Sequence, residues 1–156
     1  MATEILSSDN LLSGREVGNW RLGRTLGVGG FGAVYEAEHL TIPGRRGAVK
    51  VLHAQMAQSA EIKRRFINEA SAASRAEHEN IVQIFDGGVT PEGLCYVVME
   101  LLTGQSLAAL LREGALPAER ASNIAAQVAA ALAVAHGLGI VHRDLKPDNI
   151  FIVRRD

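Results

Sequence analysis

His142-Arg143-Asp144-Leu145-Lys146-Pro147-Asp148-Asn149 follows an apolar Gly139-Ile140-Val141 and a long Ala-rich segment. So short a stretch with two acids, two cations, a proline and an amide side chain reads as an ordered polar loop. The three spaced groups have complementary chemistry. Asp144 can accept a hydroxyl proton, Lys146 can neutralise a transferring phosphoryl group, and Asn149 offers an oxygen ligand for Mg²⁺.

Upstream, Ala121, Ile124, Ala125, Val128, Leu132 and Ala135 recur at helical spacing, which predicts a long helix over Pro117 to Leu138 with one packed face. Pro117 suits its first turn, and Gly137 and Gly139 end it. Leu107 to Arg112 suits a shorter helix. The half before residue 102 reads mainly as strands: Arg21 to Leu26, Ala33 to His39, Gly47 to Leu52, Ile81 to Phe85 and Leu94 to Leu101. Pro43-Gly44, Asp86-Gly87-Gly88 and Pro91-Glu92-Gly93 supply turns between them. One helix, Ser59 to Ala76, interrupts the strands. Its Ile62, Phe66, Ala70 and Ala73 share a face, and Glu69 lies within about 60° of that stripe's centre. Glu69 either snorkels from the stripe's edge or is buried and needs a cation on a neighbouring element.

Gly27-Val28-Gly29-Gly30-Phe31-Gly32-Ala33-Val34 fits both a dinucleotide-binding turn and a nucleotide-covering hairpin. The first requires a helix at the glycines and a carboxylate about 20 residues on. Instead, Ala33 to Ala37 favours a strand, and Arg45-Arg46-Gly47-Ala48-Val49-Lys50 holds no carboxylate. The glycines therefore join two strands, where bare backbone N–H groups can approach phosphate oxygens. In Gly47 to Leu52, alternation puts Ala48 and Lys50 on one face and Val49 and Val51 on the other. Lys50 is either an edge lysine facing water or a placed cation, and Glu69 is the candidate partner.

The chain has 156 residues, 47% hydrophobic and 21% charged, with 16 Lys+Arg against 17 Asp+Glu and a net charge of -1. That length permits one domain, which would bury roughly 70% of its unfolded surface. The charge balance excludes disorder and a basic nucleic-acid footprint. The one cysteine, Cys95, excludes an internal disulfide or a Cys-based zinc site; it lies in an apolar strand and is expected in the core. The five histidines have no metal-ligand spacing. No apolar run is long enough to span a membrane, and a cytoplasmic setting is expected.

The order G-x-G-x-x-G-x-V, A-x-K, helix Glu, H-R-D-L-K-P-x-N resembles the eukaryotic-type protein kinase family, and most of all its bacterial serine/threonine members. The resemblance implies an α+β, protein-kinase-like fold: an antiparallel β-sheet small lobe with one regulatory helix, then the first helices and catalytic loop of a helical large lobe. It implies that Gly27, Gly29, Gly30, Gly32 and the adjoining Leu26 cover the phosphates of ATP, and that Val34 and Ala48 pack on the adenine. Lys50 would hold the α- and β-phosphates, oriented by Glu69. Met99 would be the gatekeeper, with the backbone at Glu100 and Leu102 meeting the adenine edge. Asp144 would orient or deprotonate a Ser/Thr hydroxyl of a protein substrate, Lys146 would touch the γ-phosphate, and Asn149 would ligate Mg²⁺. His142 would brace the loop. Two departures stand out: Gly47, where the family often has Val or Ile, is expected to loosen that strand end, and Glu79 replaces a common proline.

The same resemblance calls for a D-F-G segment, and Asp156 is not followed by Phe-Gly. The expected organisation is a flexible lead-in over 1–19, a small lobe and hinge over 20–102, and a partial large lobe over 103–156. Two readings follow: part of an ATP-dependent protein serine/threonine kinase, or a truncated kinase-like module that binds nucleotide or a partner without phosphotransfer. In both, the long helix is expected to keep an apolar stripe exposed, and neither nucleic acid nor membrane is a partner of this segment.

Overall fold

The computed structural model describes residues 12–154, so residues 1–11 of the expected lead-in and Asp156 lie outside the described residues. These fall into two compact units, 12–74 with 83–101 and 75–82 with 102–154.

The first unit is an antiparallel sheet in the order β1-β2-β3-β4-β6-β5. Its strands are β1 (Glu16–Val17), β2 (Trp20–Val28), β3 (Gly32–His39), β4 (Arg46–Leu52), β5 (Ile84–Val89) and β6 (Cys95–Met99). The alternation read in β4 is realised. Val49 and Val51 are buried on one face, with Tyr35 opposite Val49 on β3 and Val98 opposite it on β6. Trp20, Leu22, Ala33 and Ala37 complete that face. Each such aliphatic side chain contributes about 1.5–3 kcal/mol when fully buried. Cys95 is fully buried, as its apolar strand suggests.

Three expectations are corrected in this unit. Residues 12–19 are not a loose lead-in: β1 pairs with β2, and Val17 is 0% exposed within the core. The fifth strand starts at Ile84 rather than Ile81 and continues through Asp86, Gly87 and Gly88, which do not form a turn. Gly87 and Gly88 oppose Val97 and Tyr96, and a Cβ at Gly87 would lie 3.1 Å from the Tyr96 carbonyl oxygen. These glycines permit close approach of two strands. Gly47, finally, does not loosen β4. It is buried, and a Cβ there would stand 3.0 Å from Cζ3 of Trp20 and 3.2 Å from the Met99 carbonyl, so the indole occupies the space a side chain would need.

Two helices belong to this unit, α1 (Ala54–Ala57) and α2 (Ala60–Ala73). The Ser59 hydroxyl caps α2, accepting from the Ile62 N–H at 3.3 Å. Ile62, Phe66, Ala70 and Ala73 are half-buried, as the stripe predicts, and α2 packs against β5 and β6.

The second unit contains α3 (Leu107–Arg112), α4 (Ala118–Gly137) and a two-stranded ladder of β7 (Gly104–Ser106) with β8 (Phe151–Val153) that the sequence reading missed. Gly104 sits at φ +147°, and a Cβ there would run into the Ile152 carbonyl oxygen. The end of α4 is a Schellman motif: Gly139 at φ +74° donates to the His136 carbonyl and Ile140 to that of Ala135. The expected packed face of α4 is only partly covered. Ala131 is buried and Ile124, Val128, Leu132 and Ala135 are half-buried, while Ala121 and Ala125 are exposed. Among the described residues no helix is long and apolar enough to cross a membrane.

Candidate nucleotide face and catalytic loop

In an antiparallel ladder, directly opposed residues point to the same side. Val34 opposes Lys50, Lys50 opposes Val97, and Ala48 opposes Met99, so these five share the sheet face opposite the Tyr35–Val49–Val98 core. The register thus brings together four predicted site residues, Val34, Ala48, Lys50 and Met99. At the end of β6, Glu100 is tied back: its N–H donates to the Gln83 carbonyl at 3.0 Å, and its carboxylate accepts from the Gln83 N–H at 2.8 Å. Leu102, the other residue expected at this edge, belongs to the second unit.

The glycine string joins β2 and β3 as a hairpin, with Gly27 opposite Val34 and Val28 opposite Ala33. Gly29 N–H donates to the Gly32 carbonyl at 2.9 Å across the tip. Gly32 differs from Gly27 and Gly30 in what surrounds it. A Cβ at Gly32 would run into the Val51 carbonyl oxygen, so the neighbouring strand dictates that glycine. At Gly27 and Gly30 a Cβ would meet nothing within 4 Å, and neither backbone is left-handed. Nothing inside the chain requires glycine at those two positions. Bare backbone there suits an anionic ligand that must approach N–H groups closely. Leu26, Val28 and Phe31 flank the loop with exposed side chains.

The expected Lys50–Glu69 pair is not made. Lys50 Nζ stands 5.9 Å from the centroid of the Phe66 ring, Glu69 is exposed, and no ion pair within 4 Å joins the two among the described residues. A solvated carboxylate carries no burial penalty, and the need for a cation inferred from periodicity disappears.

Residue His53 was passed over in the sequence because its spacing suits no metal. It lies just past β4 and reaches the glycine loop: His53 N–H donates to the Phe31 carbonyl at 2.8 Å, and His53 Nε2 lies 2.9 Å from the Gly29 carbonyl oxygen. Only its position three residues after Lys50 could have signalled this.

In the second unit, one loop gathers the three residues of the polar octapeptide. Lys146 Nζ lies 3.4 Å from Asp144 Oδ2, and Asn149 Nδ2 donates to Oδ2 at 3.1 Å and to the Asp144 carbonyl at 2.8 Å. A 3-10 turn over Pro147–Asn149 supplies the reach, with Asn149 N–H bonded to the Lys146 carbonyl at 2.9 Å. Arg143, at φ +64°, turns the chain just before Asp144, and the Asp144 N–H donates to His142 Nδ1 at 3.3 Å, the bracing expected of His142. With its amide nitrogen committed to Asp144, Asn149 keeps Oδ1 available as an acceptor or metal ligand. One oxygen is not a metal site, and no group of three or more His, Cys, Asp or Glu among the described residues could hold an ion. These residues alone therefore do not form the Mg²⁺ site implied by the resemblance.

The chain is similar to known proteins in family, in sequence and in fold. Residues 20–156 match the protein kinase domain family. The serine/threonine-protein kinase Pkn1 of Myxococcus xanthus is 48% identical over 152 residues, covering 97% of this chain and 22% of that protein. PknD of Mycobacterium tuberculosis is 42% identical over 144 residues, covering 92% of this chain and 21% of that protein. The chain thus spans about a fifth of the length of these curated relatives. In the crystal structure of the Mycobacterium tuberculosis PknI kinase domain, 32% identical, the match covers 90% of this chain and 57% of that one at a TM-score of 0.79.

Proposed function

Since the chain belongs to the protein kinase domain family, we propose that its sheet unit binds ATP and that its Asp144 loop serves transfer of the γ-phosphoryl group to Ser/Thr hydroxyls of a protein substrate. The observation that carries the nucleotide reading is the bare backbone at Gly27 and Gly30, which neither conformation nor internal crowding explains. Leu26, Val34, Ala48 and Met99 supply apolar contact for a base, and the Glu100 carbonyl a hydrogen-bond acceptor. The Lys50 ammonium supplies a point charge for phosphate oxygens.

In the loop, Asp144 receives the proton of the substrate hydroxyl as that oxygen attacks phosphorus, and Lys146 offsets charge on the transferring group. The carboxylate is placed for this by the Asn149 Nδ2 hydrogen bond and the Lys146 Nζ ion pair, both at Oδ2. Mg²⁺, when bound, would supply positive charge to offset that of the phosphates. Asn149 Oδ1 would be one ligand. The Ser/Thr preference rests on Lys146 in H-R-D-L-K-P-x-N and on the names of the relatives.

The 156 residues contain no D-F-G segment, and their described carboxylates form no metal cluster. These two facts favour a second reading for the chain by itself: it binds nucleotide without turning it over. Incubation with labelled ATP and a generic Ser/Thr substrate should give no transfer, and turnover abolished by Asp144→Asn would reverse that expectation. Calorimetry should show ATP binding that Lys50→Met weakens by about tenfold or more, the scale of one charge-assisted contact. Unchanged affinity would remove Lys50 from its role.

A further inference from the structure

We propose that His53 is a positioning residue for the glycine loop, holding the peptide planes at its tip so that the Gly30 and Phe31 N–H groups stay open to the phosphate chain of a nucleotide. The inference rests on the nucleotide reading above and adds a residue outside the glycine string. A carbonyl oxygen only accepts, so the 2.9 Å contact requires the proton on Nε2. The neutral Nε2–H tautomer meets that requirement.

The consequence follows from peptide geometry. In a trans peptide the C=O and the next N–H point in opposite directions, and fixing the Gly29 carbonyl on His53 turns the Gly30 N–H away from it. The Phe31 carbonyl is fixed on the backbone N–H of the same histidine at 2.8 Å. The peptide between Gly30 and Phe31 is thereby bracketed by two pinned neighbours. Neither the Gly30 nor the Phe31 N–H makes a hydrogen bond among the described residues. Glycines lose more conformational freedom on ordering than other residues, so a loop already held in place binds its ligand at lower entropic cost. His53 also directly follows β4, the strand that carries Lys50, and the pin ties the loop to the element bearing the phosphate-directed cation.

The test measures ATP and adenosine affinity of the full chain by calorimetry for the native protein, His53→Ala and His53→Gln. All three keep the residue 53 backbone N–H; only the side-chain donor changes, and the Gln amide reproduces a donor at the Nε2 position. Expected is a loss of about three- to tenfold in ATP affinity for His53→Ala, the range of one neutral hydrogen bond, with adenosine unaffected and His53→Gln close to native. Unchanged ATP affinity in His53→Ala, equal losses for ATP and adenosine, or a His53→Gln variant as weak as His53→Ala would each overturn the inference. A native chain that binds neither ligand would overturn the nucleotide reading and this inference with it.

Discussion

Substituting alanine at Gly30 and at Gly32 should have opposite effects, because the two glycines answer to different neighbours. At Gly32 the added Cβ meets the Val51 carbonyl oxygen head on, with the Val51 carbonyl carbon at 3.1 Å and Leu52 Cα at 3.2 Å. All three are backbone atoms of β4, directly across the ladder from Gly32, and none can rotate aside. Overpacking of this kind costs about 1–3 kcal/mol. For a unit of this size, each kcal/mol lowers the melting temperature by about 4–8 °C. Gly32→Ala should therefore melt at least about 4 °C below native. At Gly30 nothing lies within 4 Å of the added methyl and φ is not left-handed, so the unfolded chain loses freedom with no strain in the folded one. That is worth about 0.4–1 kcal/mol, and Gly30→Ala should melt a few degrees higher. Its methyl would stand where phosphate oxygens must approach the backbone. Losing one charge-assisted hydrogen bond, about 1.5–3 kcal/mol, lowers ATP affinity by about 10- to 150-fold. Differential scanning fluorimetry gives the melting temperatures and calorimetry the affinities. Native-like ATP binding by Gly30→Ala would refute the cradle argument, and native-like melting of Gly32→Ala would refute the crowding argument.

Gly47→Val should destabilise by about 1–3 kcal/mol through its clash with Trp20 and the Met99 carbonyl, and a Gly47→Val/Trp20→Leu cycle in urea should recover part of that loss; strict additivity would show that the indole does not fill the site. Burial of Tyr96, and secondarily the charge of Asp86, raise its phenol pKa above the usual value near 10.0. The folded state thus holds this proton more tightly than the unfolded chain, so the associated stability is intact below about pH 10 and is lost as pH rises through the folded pKa. Tyr96→Phe should flatten the fall of stability with pH above about 10, and an unchanged alkaline limb in urea titrations would contradict this. The apolar side chains left exposed in the second unit, among them Leu138, Val141 and Leu145, should make the 156-residue chain bind a hydrophobic dye and self-associate, which light scattering would measure.

Strands β2 and β3 were legible because burial alternates along them, and β4 and β6, buried on both faces over most of their length, because they read as short apolar runs bounded by turn residues. The two-residue β1 and three-residue β7 and β8 are too short for any period to appear, and their pairing depends on partners distant in the chain. Gly87-Gly88 misled for a different reason. Glycine marks a turn and a close strand approach with the same letter, and only the partner, here Tyr96 and Val97, separates them. Gly47 is the same ambiguity with Trp20 as the hidden partner.

The polar loop was readable for the opposite reason, since Asp144, Lys146 and Asn149 lie within six residues and one 3-10 turn brings them into contact. Lys50 and Glu69 come from two elements, and their meeting depends on how α2 is rotated. Phe66 and Glu69 are three residues apart, about 60° around the helix axis and about 4.5 Å along it. Hydrophobic periodicity locates a helix face no more finely than that. Nor do the energies decide. A cation over an aromatic ring at a partly exposed site is worth about 0.5–1 kcal/mol, and an exposed ion pair about 0–1 kcal/mol. Lys50 over Phe66 with Glu69 in water is therefore within about 1 kcal/mol of Lys50 on Glu69 by local terms alone. The half-buried face of Ile62, Phe66, Ala70 and Ala73 accompanies the packing of α2 against β5 and β6. Which arrangement forms therefore depends on how α2 packs against β5 and β6 and not on the charges themselves, and that packing is not recorded in the spacing of Lys50 and Glu69.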